Sequence, residues 1–321
     1  MPGLSSAYRA PFLLRNAHVQ TVLPSIMRRK LSVPYVRERL ELDDGDFIDL
    51  DWLRSGASEL VVLCHGLESS TRATYMQGMA RVFYRAGLDV CAMNMRGCSG
   101  EENRLPRSYH SGATEDLQAL LEHAAGLDRY QSVVLIGFSL GGNLILKYLG
   151  EGRATPLPVG SAVAISVPCD LASSARRLES RDCQFYMRRF ARELEAKYAR
   201  KVARFPEHFE AWPRGIVRSF SQFDAWYTAP AHGFCSAEDY WEKSSARGYL
   251  GGIEVPTLLI NALDDPFLSE DCYPEVEAKK SRYLYLEMPA SGGHVGFVTL
   301  GKQQGYWHEQ RSLAFSQAFR R

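Results

Sequence analysis

Ser139, the adjacent pair Asp264 and Asp265, and His294 are the residues in this chain whose types and order could do nucleophilic chemistry. A serine hydroxyl is a poor nucleophile at neutral pH. It needs a base within hydrogen-bond reach, and the base needs a carboxylate to orient it. Ser139 sits in Gly137-Phe138-Ser139-Leu140-Gly141, between the apolar run 133–136 and a helical spacing of Leu144, Ile145, Tyr148 and Leu149 that Gly150 is placed to end. G-x-S-x-G between a strand and a helix is the pattern of a tight turn that lifts a serine oxygen to a helix N-terminus, where free N–H groups and the dipole favour negative charge. The plainer alternative is an ordinary strand-to-helix turn with a solvent-facing serine. His294 follows Ser291-Gly292-Gly293, which frees the backbone to place its imidazole. His18, His110, His123, His208, His232 and His308 lack a matching position at a strand end, and His65 has one too early in the chain for the base.

The carboxylate leaves a choice. Asp264 and Asp265 follow a strand predicted over 255–261, and adjacent side chains there diverge, so one of them reaches His294. Asp265 is favoured because it precedes Pro266-Phe267 in the turn after Ala262, and Asp264 would then cap or brace the loop. Asp170 also follows a predicted strand, 160–167, and could either supply the acid or N-cap the next helix. Charge developing on a carbonyl oxygen calls for backbone N–H donors: one from Leu140, after the serine, and one from the loop after an early strand, where Leu67 of His65-Gly66-Leu67 fits. His65 reads as shaping that loop rather than as a base. All of these residues lie just past predicted strands, at one edge of a sheet, where sites in open α/β sheets occur.

The elements that must position them read as strands alternating with helices, hence a mostly parallel sheet wound on both faces. Residues 1–34 form an irregular lead-in broken by Pro11, Pro24 and Pro34, with room for one short helix after Asn16. A hairpin follows, in which Ile48, Leu50 and Trp52 alternate with Asp49 and Asp51 on a solvated face. Strands follow at 59–64, 88–93 and 282–288, with helices at about 73–86, 113–125 and 304–319. The core is then 35–170 plus 248–321. Residues 171–247 interrupt the alternation and are too long for a crossover helix, so a helical cap over the site is expected. Within the cap Met187, Phe190, Leu194 and Tyr198 form an apolar helical stripe, while residues 176–204 carry ten Lys and Arg against four acids. That basic face is either simply solvated or in contact with anionic lipid or an acyl-CoA phosphate.

The chain's 321 residues suit one large α/β domain or two small ones, and a net charge of +1 gives no global field for nucleic acid. Seven irregularly spaced cysteines with no C-x-x-C pair suggest reduced thiols and a cytoplasmic setting, and the first residues lack the apolar core of a secretory signal. No run approaches a membrane span, and no ligand spacing for a metal and no dinucleotide or phosphate-binding loop is found, so neither metal nor cofactor is expected.

Pieces along nearly the whole chain resemble the YheT-like branch of the α/β-hydrolase family: Pro11-Phe12-Leu13-Leu14-Arg15-Asn16-Ala17-His18-Val19-Gln20-Thr21, His65-Gly66-Leu67-Glu68, Asn94-Met95-Arg96-Gly97-Cys98-Ser99-Gly100, the Ser139 turn, Asn261-Ala262-Leu263-Asp264-Asp265-Pro266-Phe267 and Gly292-Gly293-His294-Val295-Gly296-Phe297. The resemblance implies a serine carboxylesterase fold with Ser139 as nucleophile, Asp265 as acid and His294 as base, acting on small-molecule acyl esters, short- or medium-chain or lipid. Acyl transfer to an alcohol through the same intermediate, or a ligand-binding member without catalysis, are the competing readings.

Overall fold

The computed structural model describes residues 3–28, 31–299 and 305–320. Its strands are β1 Gly3–Leu4, β2 Val36–Glu41, β3 Phe47–Leu53, β4 Glu59–Cys64, β5 Asp89–Asn94, β6 Ser132–Phe138, β7 Val159–Ile165, β8 Thr257–Ile260 and β9 Leu284–Glu287. Among the described residues they form one sheet in the order β1-β9-β8-β7-β6-β4-β5-β3-β2. Every pairing is parallel except those of β3 with β2 and with β5. The longer helices are α1 Ala17–Met27, α2 Thr74–Arg85, α3 Thr114–Ala125, α4 Leu140–Gly150, α5 Leu171–Leu178, α6 Gln184–Arg204, α7 Ala237–Ser244, α8 Glu275–Lys280 and α9 Trp307–Ala318.

The central strands are continuous apolar runs because helices cover both of their faces. Val61, Leu63, Ile136 and Val163 pack into the layer of Met76, Met79 and Phe83 from α2 and Phe315 from α9. Leu60, Val62 and Leu135 pack with Leu117 and Leu121 of α3 and Leu144 and Ile145 of α4. Parallel pairing then delivers the C-terminal ends of β4, β6, β7, β8 and β9 to one edge.

Three expectations are corrected. Asp49 and Asp51 are not on a solvated face: they are 2% and 3% exposed. β3 lies between β2 and β5, and Arg39 and Arg37 fold over these carboxylates in bidentate pairs at 2.8–3.1 Å, a geometry that satisfies planar charge on both sides. The lead-in is not irregular throughout: the helix with room after Asn16 is α1, which runs on through Pro24, and β1 adds an unexpected edge strand beside β9. The last helix begins at Trp307 rather than near Gln304, which lies outside the described residues.

Between β7 and β8 the chain forms α5, α6, a short turn Phe220–Phe223, a π-helical turn Asp224–Thr228 and α7. Met187, Leu194 and Tyr198 of α6 are buried with Val217, Phe223 and Tyr227, so this insert has a small core of its own. Its basic run is divided. Arg188, Arg189 and Arg192 are exposed, whereas Lys197 and Lys201 are buried and face inward. Lys201 donates to Leu105 O at 2.7 Å and Arg204 to Asn103 O at 2.7 Å. That part of the basic face is therefore a seam to the 98–107 loop, not a solvated surface. Among the described residues no helix is long and apolar enough to cross a membrane.

Candidate active site

The turn from β6 into α4 explains the two glycines around Ser139. A Cβ at Gly137 would run into the Gly141 carbonyl, and one at Gly141 into the C-terminal end of β4, at the carbonyl oxygens of Cys64 and His65. Only bare backbone lets strand, turn and helix approach so closely. Ser139 itself stands at φ +52, a conformation that costs about 1–3 kcal/mol for a residue with a side chain and that its surroundings enforce. Its N–H donates to Ile165 O at 2.8 Å, and its carbonyl accepts from Gly142 and Asn143 at 2.9 and 3.0 Å.

The structure brings Ser139, His294 and Asp265 into one hydrogen-bonded row. Ser139 Oγ lies 3.0 Å from His294 Nε2, and His294 Nδ1 lies 2.9 and 3.1 Å from the two Asp265 oxygens. Asp265 is 4% exposed, and its Oδ1 also accepts the Phe267 N–H at 2.9 Å. The Phe267 ring stacks on the imidazole with centroids 4.1 Å apart. Asp264 turns the other way and accepts the Gly293 N–H at 2.9 Å, which is the bracing arrangement the diverging side chains predict. Burial raises the Asp264 pKa. Asp170 caps α5, accepting from Ser173 N at 2.9 Å, and does not join the row.

The β4 loop lies against the serine: a Cβ on Gly66 would sit 3.3 Å from Ser139 Cβ. His65 is fully buried, and burial lowers its pKa to about 4, so it is neutral. Its Nε2 accepts the Met95 N–H at 3.1 Å, which leaves the proton on Nδ1 to donate to Gly66 O at 2.7 Å. His65 thus fixes the peptide that carries the Leu67 N–H. Leu140 is the first residue of α4, where an N–H has no intrahelical partner. Among the described residues neither the Leu67 nor the Leu140 N–H donates to a protein acceptor.

The sequence profile described as the alpha/beta hydrolase fold matches residues 59–299. The chain belongs to the α/β-hydrolase fold family. It is 36% identical over 289 residues to YheT of Escherichia coli (strain K12), a protein carrying a provisional esterase name, across 88% of this chain and 84% of that one. It is 29% identical to mouse phospholipase ABHD3, across 96% of this chain and 76% of the relative. It is 28% identical to human monoacylglycerol lipase ABHD2, across 92% and 75%. The solved esterase Pf2001 of Pyrococcus furiosus superposes with a TM-score of 0.59 at 18% identity, covering 89% of this chain and 91% of that one, and shares the fold.

In this α/β hydrolase the insert roofs the serine. Insert and core together line a cleft, part of it open to solvent, with Ser139, Leu67, Leu140 and His294 in its wall. Leu171, Ala175, Leu178, Phe190, Phe220 and Phe267 make an apolar arm, while Ser108, Tyr109, Lys197 and Asp224 add polar groups. Several supports of the site carry no sequence signal of their own. Thr21 Oγ1 accepts the His294 N–H at 2.9 Å, and Ser166 Oγ, on a residue at φ +53, accepts the Val295 N–H at 2.9 Å. Asn261 ties the ends of β8 and β7 by accepting from Val167 N at 2.7 Å. Thr21 and Asn261 fall within the stretches that carry the family resemblance; Ser166 does not.

Proposed function

We propose that this α/β hydrolase hydrolyses carboxylic esters through an acyl-enzyme on Ser139. Asp265 accepts a hydrogen bond from the Nδ1–H of His294, which keeps its proton, and so holds the tautomer whose Nε2 lone pair faces Ser139 Oγ. Nε2 takes the hydroxyl proton as the oxygen attacks the ester carbonyl. The Leu67 and Leu140 N–H groups receive the oxyanion. His294 then protonates the departing alkoxide, and water, deprotonated by the same nitrogen, releases the acid and restores the serine. The acyl chain occupies the apolar arm under the insert. The observation that carries this reading is the unbroken Ser139–His294–Asp265 row in the wall of an apolar cleft. Relatives named as phospholipase and monoacylglycerol lipase support lipid esters within that substrate class.

The test is initial rates on p-nitrophenyl esters from acetyl to dodecanoyl, with Ser139→Ala alongside. Saturable turnover that falls by about 10⁴-fold or more in the variant is expected, with a chain-length optimum that reports the length of the apolar arm. A variant with wild-type rates would remove Ser139 from the mechanism.

A further inference from the structure

The ammonium of Lys197 reaches from α6 into the wall of the cleft, and the reaction above does not use it. Its side chain is 3% exposed and that of its partner Glu68 is 10% exposed. Burial opposes the charge on Lys197, yet Cys98 and Glu68 beside it hold its pKa above the ordinary lysine value, so the group stays protonated. A buried ion pair is weak evidence for stability, because desolvation offsets most of the Coulombic gain. Nor is Lys197 needed to dock α6: Lys201, Arg200 and Arg204, along the same helix, already hold the 102–105 segment.

What Lys197 does hold is the residue after Leu67. Glu68 stands at φ +46, which a side-chain-bearing residue keeps only where its surroundings enforce it. Its N–H donates to Tyr109 Oη at 2.7 Å, the Tyr109 hydroxyl donates back to Glu68 Oε1 at 2.8 Å, and Lys197 Nζ donates to the same oxygen at 2.7 Å. The ammonium also lies 4.3 Å from the Tyr109 ring centroid. The Leu67 amide is therefore gripped from both sides: His65 of the core holds Gly66 O before it, and Lys197 of the insert holds Glu68 after it. Among the described residues the Leu67 N–H itself donates to no protein acceptor.

We propose that Lys197 is a positioning residue for the oxyanion donor: by fixing Glu68 it holds the Leu67 N–H in place, which makes seating of the insert a condition for turnover. The inference rests on the assignment of Leu67 under the esterase reading. Small displacements of such a donor are costly, since a 1 Å misplacement can cost about 100-fold in rate.

The test replaces Lys197 by Met, which keeps length and removes charge, and by Arg, which restores charge. With p-nitrophenyl butyrate, Lys197→Met is expected to lower kcat by about 10- to 100-fold, part of the effect of losing a whole oxyanion donor, while KM stays within about 2-fold. The inhibition constant of a trifluoromethyl ketone, whose adduct with the serine carries an oxyanion, should weaken in parallel, and Lys197→Arg should recover most of both losses. Adding Glu68→Gln to Lys197→Met should cost little more, because both break one link. Wild-type kcat and inhibitor affinity in Lys197→Met, or a loss confined to KM or thermal stability, would overturn the proposal. Amide exchange reads the same link without turnover: the Glu68 N–H should exchange at least about 5-fold faster in Lys197→Met, with α6 unchanged. Unchanged exchange overturns the positioning role. Absence of Ser139-dependent turnover in the wild type would instead overturn the esterase reading and the oxyanion role with it, whereas turnover with unchanged exchange would overturn the positioning role alone.

Discussion

Adjacent carboxyl groups in the turn after β8 take different partners, and the difference can be measured. Asp265 faces His294 Nδ1, while Asp264 accepts a backbone N–H from Gly293. Asp265→Asn keeps the shape but offers the imidazole an N–H where it needs an acceptor, favouring the wrong tautomer. Its kcat should fall by about 10³- to 10⁴-fold. Asp264→Asn retains an acceptor oxygen for Gly293 and should stay within about 10-fold of wild type. Steady-state kinetics of the two variants decide which aspartate orients the base, and equal losses would contradict the geometry. That only one of them reaches the base was legible, because neighbouring side chains in a turn diverge; which one was not, because both follow the same strand end. The Thr21 and Ser166 hydroxyls that brace the histidine loop were not, because a single hydroxyl meeting a distant backbone N–H leaves no spacing in the chain.

Strand, turn and helix around Ser139 show what decides legibility at the level of elements. β4, β6 and β7 could be read from their continuous apolar runs, since burial on both faces admits little else. β1 could not, because two residues make a strand only by lying beside β9. The Asp49 and Asp51 alternation pointed to solvent because the pattern cannot show that Arg37 and Arg39 will cover those side chains from the next strand. The tight passage from β6 to α4 makes a prediction of its own. The obstacles to a side chain at Gly141 are the carbonyl oxygens of Cys64 and His65, backbone that cannot rotate away. Gly141→Ala should therefore destabilise the protein by about 1–3 kcal/mol or more and should also push the β4 loop, with Leu67, away from Ser139. A thermal midpoint several degrees lower together with a reduced kcat is the expected outcome. An unchanged midpoint would mean that the strand-to-helix junction is looser than the structure shows.

The whole molecule is a sheet with its loops gathered at one edge and an insert seated over them, and the insert carries a charge whose titration bears on stability. Asp224 opens the π-helical turn, and its two oxygens accept from Thr228 Oγ1 at 2.7 Å and Trp241 Nε1 at 2.8 Å, joining that turn to α7. Both partners are neutral, and burial raises its pKa from 3.8 to about 6. The folded protein therefore binds this proton more tightly than the unfolded chain does. The resulting stabilisation is full below about pH 4 and is lost as pH rises through about 6. Asp224→Asn removes the titration while keeping one acceptor and a donor that Thr228 Oγ1 can receive. The difference in thermal midpoint, variant minus wild type, should become more positive between about pH 4.5 and pH 7. Midpoints at several pH values across that range suffice. A difference that stays flat would show that the carboxyl titrates as an ordinary exposed aspartate, and that the turn around Asp224 is more open to water than its buried contacts with Thr228 and Trp241 imply.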